Sequence, residues 1–158
     1  MLFLDITYRI VLFGHRDFNE HRKISERLYL LLENLIRTNS FVEIYIGRNG
    51  EFDIYAASII KQIQKAVGKS NNEFICVLPY SVKDIEYYNE YYDNVIIPEF
   101  IGKMHYKRAI TERNKWMVEQ ADLFICYVEK EEGGAYAALK YAKKLKKKII
   151  NLAEEEFE

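Results

Sequence analysis

The residues best suited to chemistry lie in Phe41-Val-Glu-Ile-Tyr-Ile-Gly-Arg-Asn-Gly-Glu-Phe-Asp-Ile-Tyr-Ala-Ala57, where an apolar strand gives way to a glycine-punctuated turn and then to a helical pattern. That order builds an anion site. The first N–H groups of a helix have no intrahelical partner and sit at the positive end of its dipole. Gly47 and Gly50 let the backbone approach a ligand closely, and Arg48 adds a planar cationic fork. Asn49 and Glu51 lie in the same turn, and Asp53, just ahead of the helical pattern, is the expected N-cap. A plain glycine turn with Arg48 solvated on its rim fits the same residues.

Two further turns share this form. Tyr8 to Phe13 is an almost unbroken apolar run ending at Gly14-His15-Arg16, and Leu123 to Val128 is another, followed at short distance by Gly133-Gly134. Strands apolar throughout are those covered on both faces, as in parallel sheets. Val42–Ile46, Phe74–Leu78 (stopped by Pro79), Val95–Ile97 (stopped by Pro98) and Ile149–Leu152 complete the strand set. Helices alternate with them: one carries Ile24, Leu28, Leu31, Leu32 and Leu35. A second carries Phe52, Ala56, Ile59, Ile60, Ile63 and Val67 and is closed by Gly68. A third runs from Lys107 to Ala121 with Ile110, Met117, Val118 and Ala121 inward, and a last follows Gly134.

The alternation predicts an α/β fold, a Rossmann-like three-layer sandwich with a mostly parallel sheet and helices on both faces. Ligands of such sheets sit beyond the carboxyl ends of the strands, where the three turns would meet. Their coincidence favours a phosphate-containing ligand over three unrelated turns. Tyr80 to Asp93, with Tyr87, Tyr88, Tyr91 and Tyr92, reads either as a cover for the sheet edge or as a platform for a base. Lys143, Lys144, Lys146, Lys147 and Lys148 read as the dipole-favoured end of the last helix.

The 158 residues are expected to form a single domain, 1–158, which at this length buries about 70% of its unfolded surface. With 23 basic and 24 acidic residues the net charge is −1, which disfavours nucleic-acid coating and membrane-surface binding. Cys76 and Cys126 lie in strand interiors and read as reduced core thiols of a cytoplasmic protein. His15, His21 and His105 lack paired ligand spacing, so no metal and no cofactor is expected.

In order, Gly14-His-Arg-Asp, Gly47-Arg-Asn-Gly-Glu-Phe-Asp53, Val77-Leu-Pro-Tyr80, Arg113-Asn-Lys-Trp-Met-Val118, Gln120-Ala-Asp122 and Gly133-Gly-Ala-Tyr-Ala-Ala-Leu-Lys-Tyr-Ala-Lys143 resemble the SLOG superfamily, in particular its small single-domain branch. That superfamily has Rossmann-like folds and includes the Lonely Guy phosphoribohydrolases, the DNA-processing protein A family and anti-phage sensor domains for cyclic ADP-ribose isomers. The resemblance implies a nucleotide-derived ligand. The phosphoribohydrolase motif matches at Arg113, Met117, Ala121, Asp122, Gly133 and Gly134. It fails beyond them: Glu132 stands for its proline, Tyr136 and Ala137 for its Gly-Thr, and Lys140 for its catalytic glutamate. An ammonium cannot do a carboxylate's work on a developing oxocarbenium charge.

The expectation is therefore binding without turnover, as a sensor or sequestering sponge in phage–host conflict. Arg48 and Arg113 would neutralise phosphate, Asn49, Asn114 and Asp53 would bond ribose hydroxyls, and His15 and Arg16 would close the site. The alternatives are a nucleotide N-glycosidase or deoxyribosyltransferase using Glu51, Asp53 and Tyr136, and a single-stranded DNA binder. A homodimer or homotetramer is expected, with no membrane association.

Overall fold

The computed structural model describes residues 6–19, 21–48, 50–102 and 104–154. Strand β1 (Thr7–Gly14) shows how the layers arise. Successive strand residues face opposite ways, and along β1 both ways are covered: Ile10 and Leu12 enter one core cluster and Val11 and Phe13 the other. The first cluster is filled by helices α1 (His21–Thr38) and α2 (Glu51–Val67) with Tyr88 of α3 (Ile85–Tyr91). The second is filled by α4 (Tyr106–Gln120) and α5 (Gly133–Lys144).

The remaining strands are β2 (Phe41–Ile46), β3 (Asn72–Val77), β4 (Asn94–Ile96), β5 (Leu123–Tyr127) and β6 (Lys148–Asn151). They form one sheet in the order β4-β3-β2-β1-β5-β6, and every neighbouring pair is parallel. The chain works outward from β1 to β4 on one side, then crosses back to lay β5 and β6 on the other. The order thus reverses at β1, and the carboxyl ends of β1 and β5 flank the crevice.

Several local expectations shift. Asp53 is not the N-cap of α2: Gly50 holds that position in extended backbone, and Asp53 is the third helical residue. The helix begins earlier because the Glu51 N–H donates to the Arg16 carbonyl at 2.9 Å, a tertiary bond that local capping rules do not contain. A Cβ on Gly50 would come within 3.0 Å of Arg16 Cα, so this close passage of the two loops is what requires the glycine. At the other end Gly68 closes α2 as expected, at φ +83 with its N–H on the Gln64 carbonyl.

Helix α5 ends at Lys144, before the lysine run does. Lys146 takes a left-handed turn at φ 57, and Lys148 already belongs to β6. In the tyrosine segment, Tyr88 and Tyr92 are buried in the core, while Tyr87 stays exposed and stacks on Tyr91 at 6.1 Å. The segment therefore packs three of these four rings, Tyr88, Tyr91 and Tyr92, against the core.

Cys76 and Cys126 are fully buried free thiols, and burial pushes each up to about 12. Neither is expected to react with a thiol reagent at pH 8 until the protein unfolds. The fold keeps both protons to about pH 12, whereas the unfolded thiols, with an ordinary value of 9.0, release theirs earlier. The stability they contribute is present below pH 9 and is lost as pH rises towards 12. A denaturant-midpoint series across that range checks the direction, and a midpoint that rose with pH would contradict it.

Candidate ligand-binding cleft

A cleft of about 550 Å³ opens where the strand order reverses. Gly14, His15, Arg16 and Asp17 line it from the end of β1, Gly47 and Gly50 from the end of β2, and Asp53 from the first turn of α2. Ile110, Arg113, Asn114 and Met117 form the α4 wall, and Lys130, Glu132, Gly133 and Gly134 the rim before and into α5. The three turns read from the sequence do converge on one space.

Arg113 is the chemical centre of that space. It is 5% exposed, and burial pulls its guanidinium below the ordinary value while the facing Asp53 carboxylate pulls it back. Its Nη1 donates to the Val77 carbonyl at 2.6 Å and its Nε to Asn114 Oδ1 at 2.8 Å. The fork is thus held from the end of β3 and from its own helix. Gly47 makes room: a Cβ there would lie 3.3 Å from Arg113 Nη1 and 3.4 Å from Asp53 Oδ2.

Gly14 has a different reason to be small. A Cβ on it would overlap the Phe52 ring, lying 2.6 Å even from Phe52 Cβ. Gly133 takes φ +87, which favours glycine outright, and it opens α5 with no side-chain cap. A Cβ on Gly134 would stand 3.6 Å from Asn114 Nδ2, close enough to narrow the cleft.

His15 does not sit in the cleft as a simple ligand group. It is buried, and its Nε2 accepts from both Glu129 N–H and Lys130 N–H at 3.0 Å. The imidazole therefore pins the loop that carries Gly133, and the exposed pair Lys130–Asp17 at 3.0 Å runs alongside. His15→Ala leaves two backbone donors without that acceptor and is expected to cost about 1–3 kcal/mol. Faster amide exchange at residues 129 and 130 would locate the effect, and unchanged exchange there would refute it.

Of the residues anticipated as ligand contacts, Arg48 and Glu51 do not line the cleft, and Asn49 lies outside the described residues. Arg48 turns to the Tyr88 hydroxyl instead. Among the residues considered for catalysis, Asp53 reaches the cleft while Glu51 and Tyr136 do not. Tyr136 lies under the Lys140 ammonium, 5.6 Å from its ring centroid, and packs against the α4–α5 core. Asp17, Lys130, Glu132 and, from α4, Ile110 join the lining, although none of them was given a ligand-binding role from the sequence. Among the described residues no group of three or more side chains is arranged to hold a metal ion. None of their helices is long and apolar enough to cross a membrane.

No protein-family model and no curated protein matches the sequence. Solved structures do resemble it. The X-ray structure of DNA processing protein A from Streptococcus pneumoniae superposes at TM-score 0.64 with 15% identity, covering 90% of this chain and 49% of that one. The chain thus spans about half the length of that protein. The structural-genomics target TM1055 superposes at TM-score 0.54 with 13% identity, covering 90% of this chain and 72% of the other. At such identities the likeness is one of fold, and the class it defines is a SLOG-like Rossmann fold.

Proposed function

We propose that the cleft binds a nucleotide-derived ligand, of ADP-ribose type or a cyclic-nucleotide signal, without turning it over. The observation that carries this reading is the buried Arg113 set at the switch point of a parallel sheet between glycine turns. A fixed cation suits phosphate, and Asp53 and Asn114 beside it suit ribose hydroxyls. The SLOG-like fold supports the same ligand class. Such a protein serves as a sensor or a sequestering sponge, with conflict between phage and host as the setting, and assembles as a homodimer or homotetramer.

Native mass spectrometry of protein purified from cells, then identification of any small molecule released, gives both the ligand and the assembly. Calorimetry against ADP-ribose, its cyclic isomers and cyclic dinucleotides gives affinities. Failure of the whole panel to bind would remove the proposal.

One observation favours a second reading. Asp53 places a carboxylate in the cleft opposite Arg113, so an N-glycosidase acting on nucleotides still has an acidic group at hand. Free base released from a nucleoside monophosphate by wild-type protein, and not by Asp53→Asn, would establish it. The name of DNA processing protein A makes single-stranded DNA a fair third probe. A mobility shift surviving moderate salt would be needed to keep it.

A further inference from the structure

Arg48 poses a separate question, because the structure turns it away from the cleft and gives it no negative charge. It is half-buried on the β2–α2 turn between Gly47 and Gly50, and no carboxylate of the described residues lies within ion-pair range of it. Its neighbours are phenols. Nη1 donates to the Tyr88 hydroxyl at 2.6 Å, and the guanidinium carbon lies 5.5 Å from the centroid of the Tyr88 ring. The Tyr80 phenol lies near it as well, and the two phenols together hold Arg48 above its ordinary value.

Every group in this cluster has a proton to give. Arg48 Nε is buried with no acceptor, an arrangement native structures seldom leave without a purpose. The Tyr88 oxygen already accepts from Arg48, so its own O–H needs a further acceptor, and it has no second partner among the described residues. A structural staple between the turn and α3 would be better served by a carboxylate. What the cluster lacks is an acceptor with several oxygens.

The electrostatics of the rim point the same way. Arg48 and Arg113 are close enough to repel, and Asp53 faces Arg113. The opposite rim is acidic, with Glu129, Glu131 and Glu132 all exposed before α5. On the β2–α2 side the carboxylates are Asp53, which faces Arg113, and the exposed Glu51, so an anion there is drawn to Arg48 itself.

We propose that Arg48, Tyr80 and Tyr88 form a seat for an oxyanion, the phosphate of a phosphate ester, beside the cleft rather than within it. A planar fork flanked by two hydroxyl donors matches a tetrahedral group with several acceptor oxygens better than a flat carboxylate. Because Gly47 and Gly50 line the cleft while Arg48 between them faces out, one elongated ligand can occupy both places.

The test uses inorganic phosphate as probe, titrated at constant ionic strength against chloride and followed by NMR at the Arg48 Nε–H and the amides of Gly47 and Gly50. Wild-type protein is expected to show saturable shifts there. Arg48→Ala should weaken phosphate binding about tenfold or more. Tyr88→Phe, which keeps the buried ring, should weaken it several-fold, and Lys69→Ala, a cation beyond the far end of α2 that pairs with Asp93, should leave it unchanged. Thermal unfolding without phosphate confirms that each variant is folded.

Binding that is absent in wild type, unaltered in Arg48→Ala, or weakened as much by Lys69→Ala as by Arg48→Ala would overturn the seat. This outcome is separate from the fate of the cleft. Nucleotides bound with Arg48 silent would keep the cleft reading and sink the seat, and phosphate bound through Arg48 with no nucleotide bound would do the reverse.

Discussion

Gly14→Ala is expected to destabilise the protein by about 3 kcal/mol, at the upper end for overpacking a well-filled core. The added methyl would meet the ring of Phe52, which is fully buried. Phe18 stands edge-on to that ring at 5.4 Å, and Tyr127 stands against Phe18 at 4.9 Å, so displacing one ring displaces the set. The backbone gives no reason for the cost, since Gly14 lies in β1 in register with Tyr127 and its φ is not positive.

Removing the ring should therefore reverse the sign. Phe52→Ala alone is expected to cost about 3–5 kcal/mol. Adding Gly14→Ala to it should be neutral or slightly favourable, because alanine restricts the unfolded chain more than glycine does. Denaturant unfolding of the four proteins measures the coupling. Equal costs of Gly14→Ala in both backgrounds would show that the glycine answers to the backbone.

Glycine 14 also shows what the sequence could and could not reveal. Its place at the end of an apolar run marked the carboxyl edge of the sheet, and that was right, although Gly14 is the last residue of β1 and not part of the turn. The reason for its size is Phe52, 38 positions away in the chain, and no local pattern names such a partner. The inner strands were legible because both faces are covered along most of their length, so each reads as a nearly continuous apolar run. Gly68 was legible because one residue's positive φ closes a helix.

Where contacts are distant, the reading slipped. The start of α2 depends on a bond from Glu51 to Arg16, and Lys130 reaches the cleft beside Asp17 through a pairing across 113 positions. The four tyrosines could not be sorted, since two neighbouring pairs at helical spacing fit either face equally well. On α4 hydropathy ranks Ile110 as core and Arg113 as surface. The structure leaves Ile110 half-buried on the cleft wall and buries Arg113. Arg113 was nonetheless named as a phosphate contact, because the resemblance to the phosphoribohydrolase motif, and not the hydropathy of the helix, singled it out.

Arg113→Ala is expected to cost about 3–5 kcal/mol, as much as Phe52→Ala, the range for removing one member of a buried charged arrangement. It takes away the donor at 2.6 Å from the Val77 carbonyl and the cation facing Asp53. Burial lowers the guanidinium's value, yet arginine's ordinary value is so high that the charge persists at neutral pH. The charge is therefore a standing cost that the fold offsets with Val77, Asn114 and Asp53.

If charge compensation dominates, the cost should shrink when Arg113→Ala is made together with Asp53→Asn, because no carboxylate is then left facing an empty position. Undiminished cost in that background would assign the role to the Val77 bond alone. Arg113→Lys separates folding from function. It retains a cation but not the fork, so it should recover part of the stability while ligand affinity stays low, since one ammonium cannot reach Val77, Asn114 and a phosphate in a fixed plane. Equal recovery of stability and affinity would mean that only the charge matters, and the cleft would then be a general anion site rather than one shaped for a nucleotide.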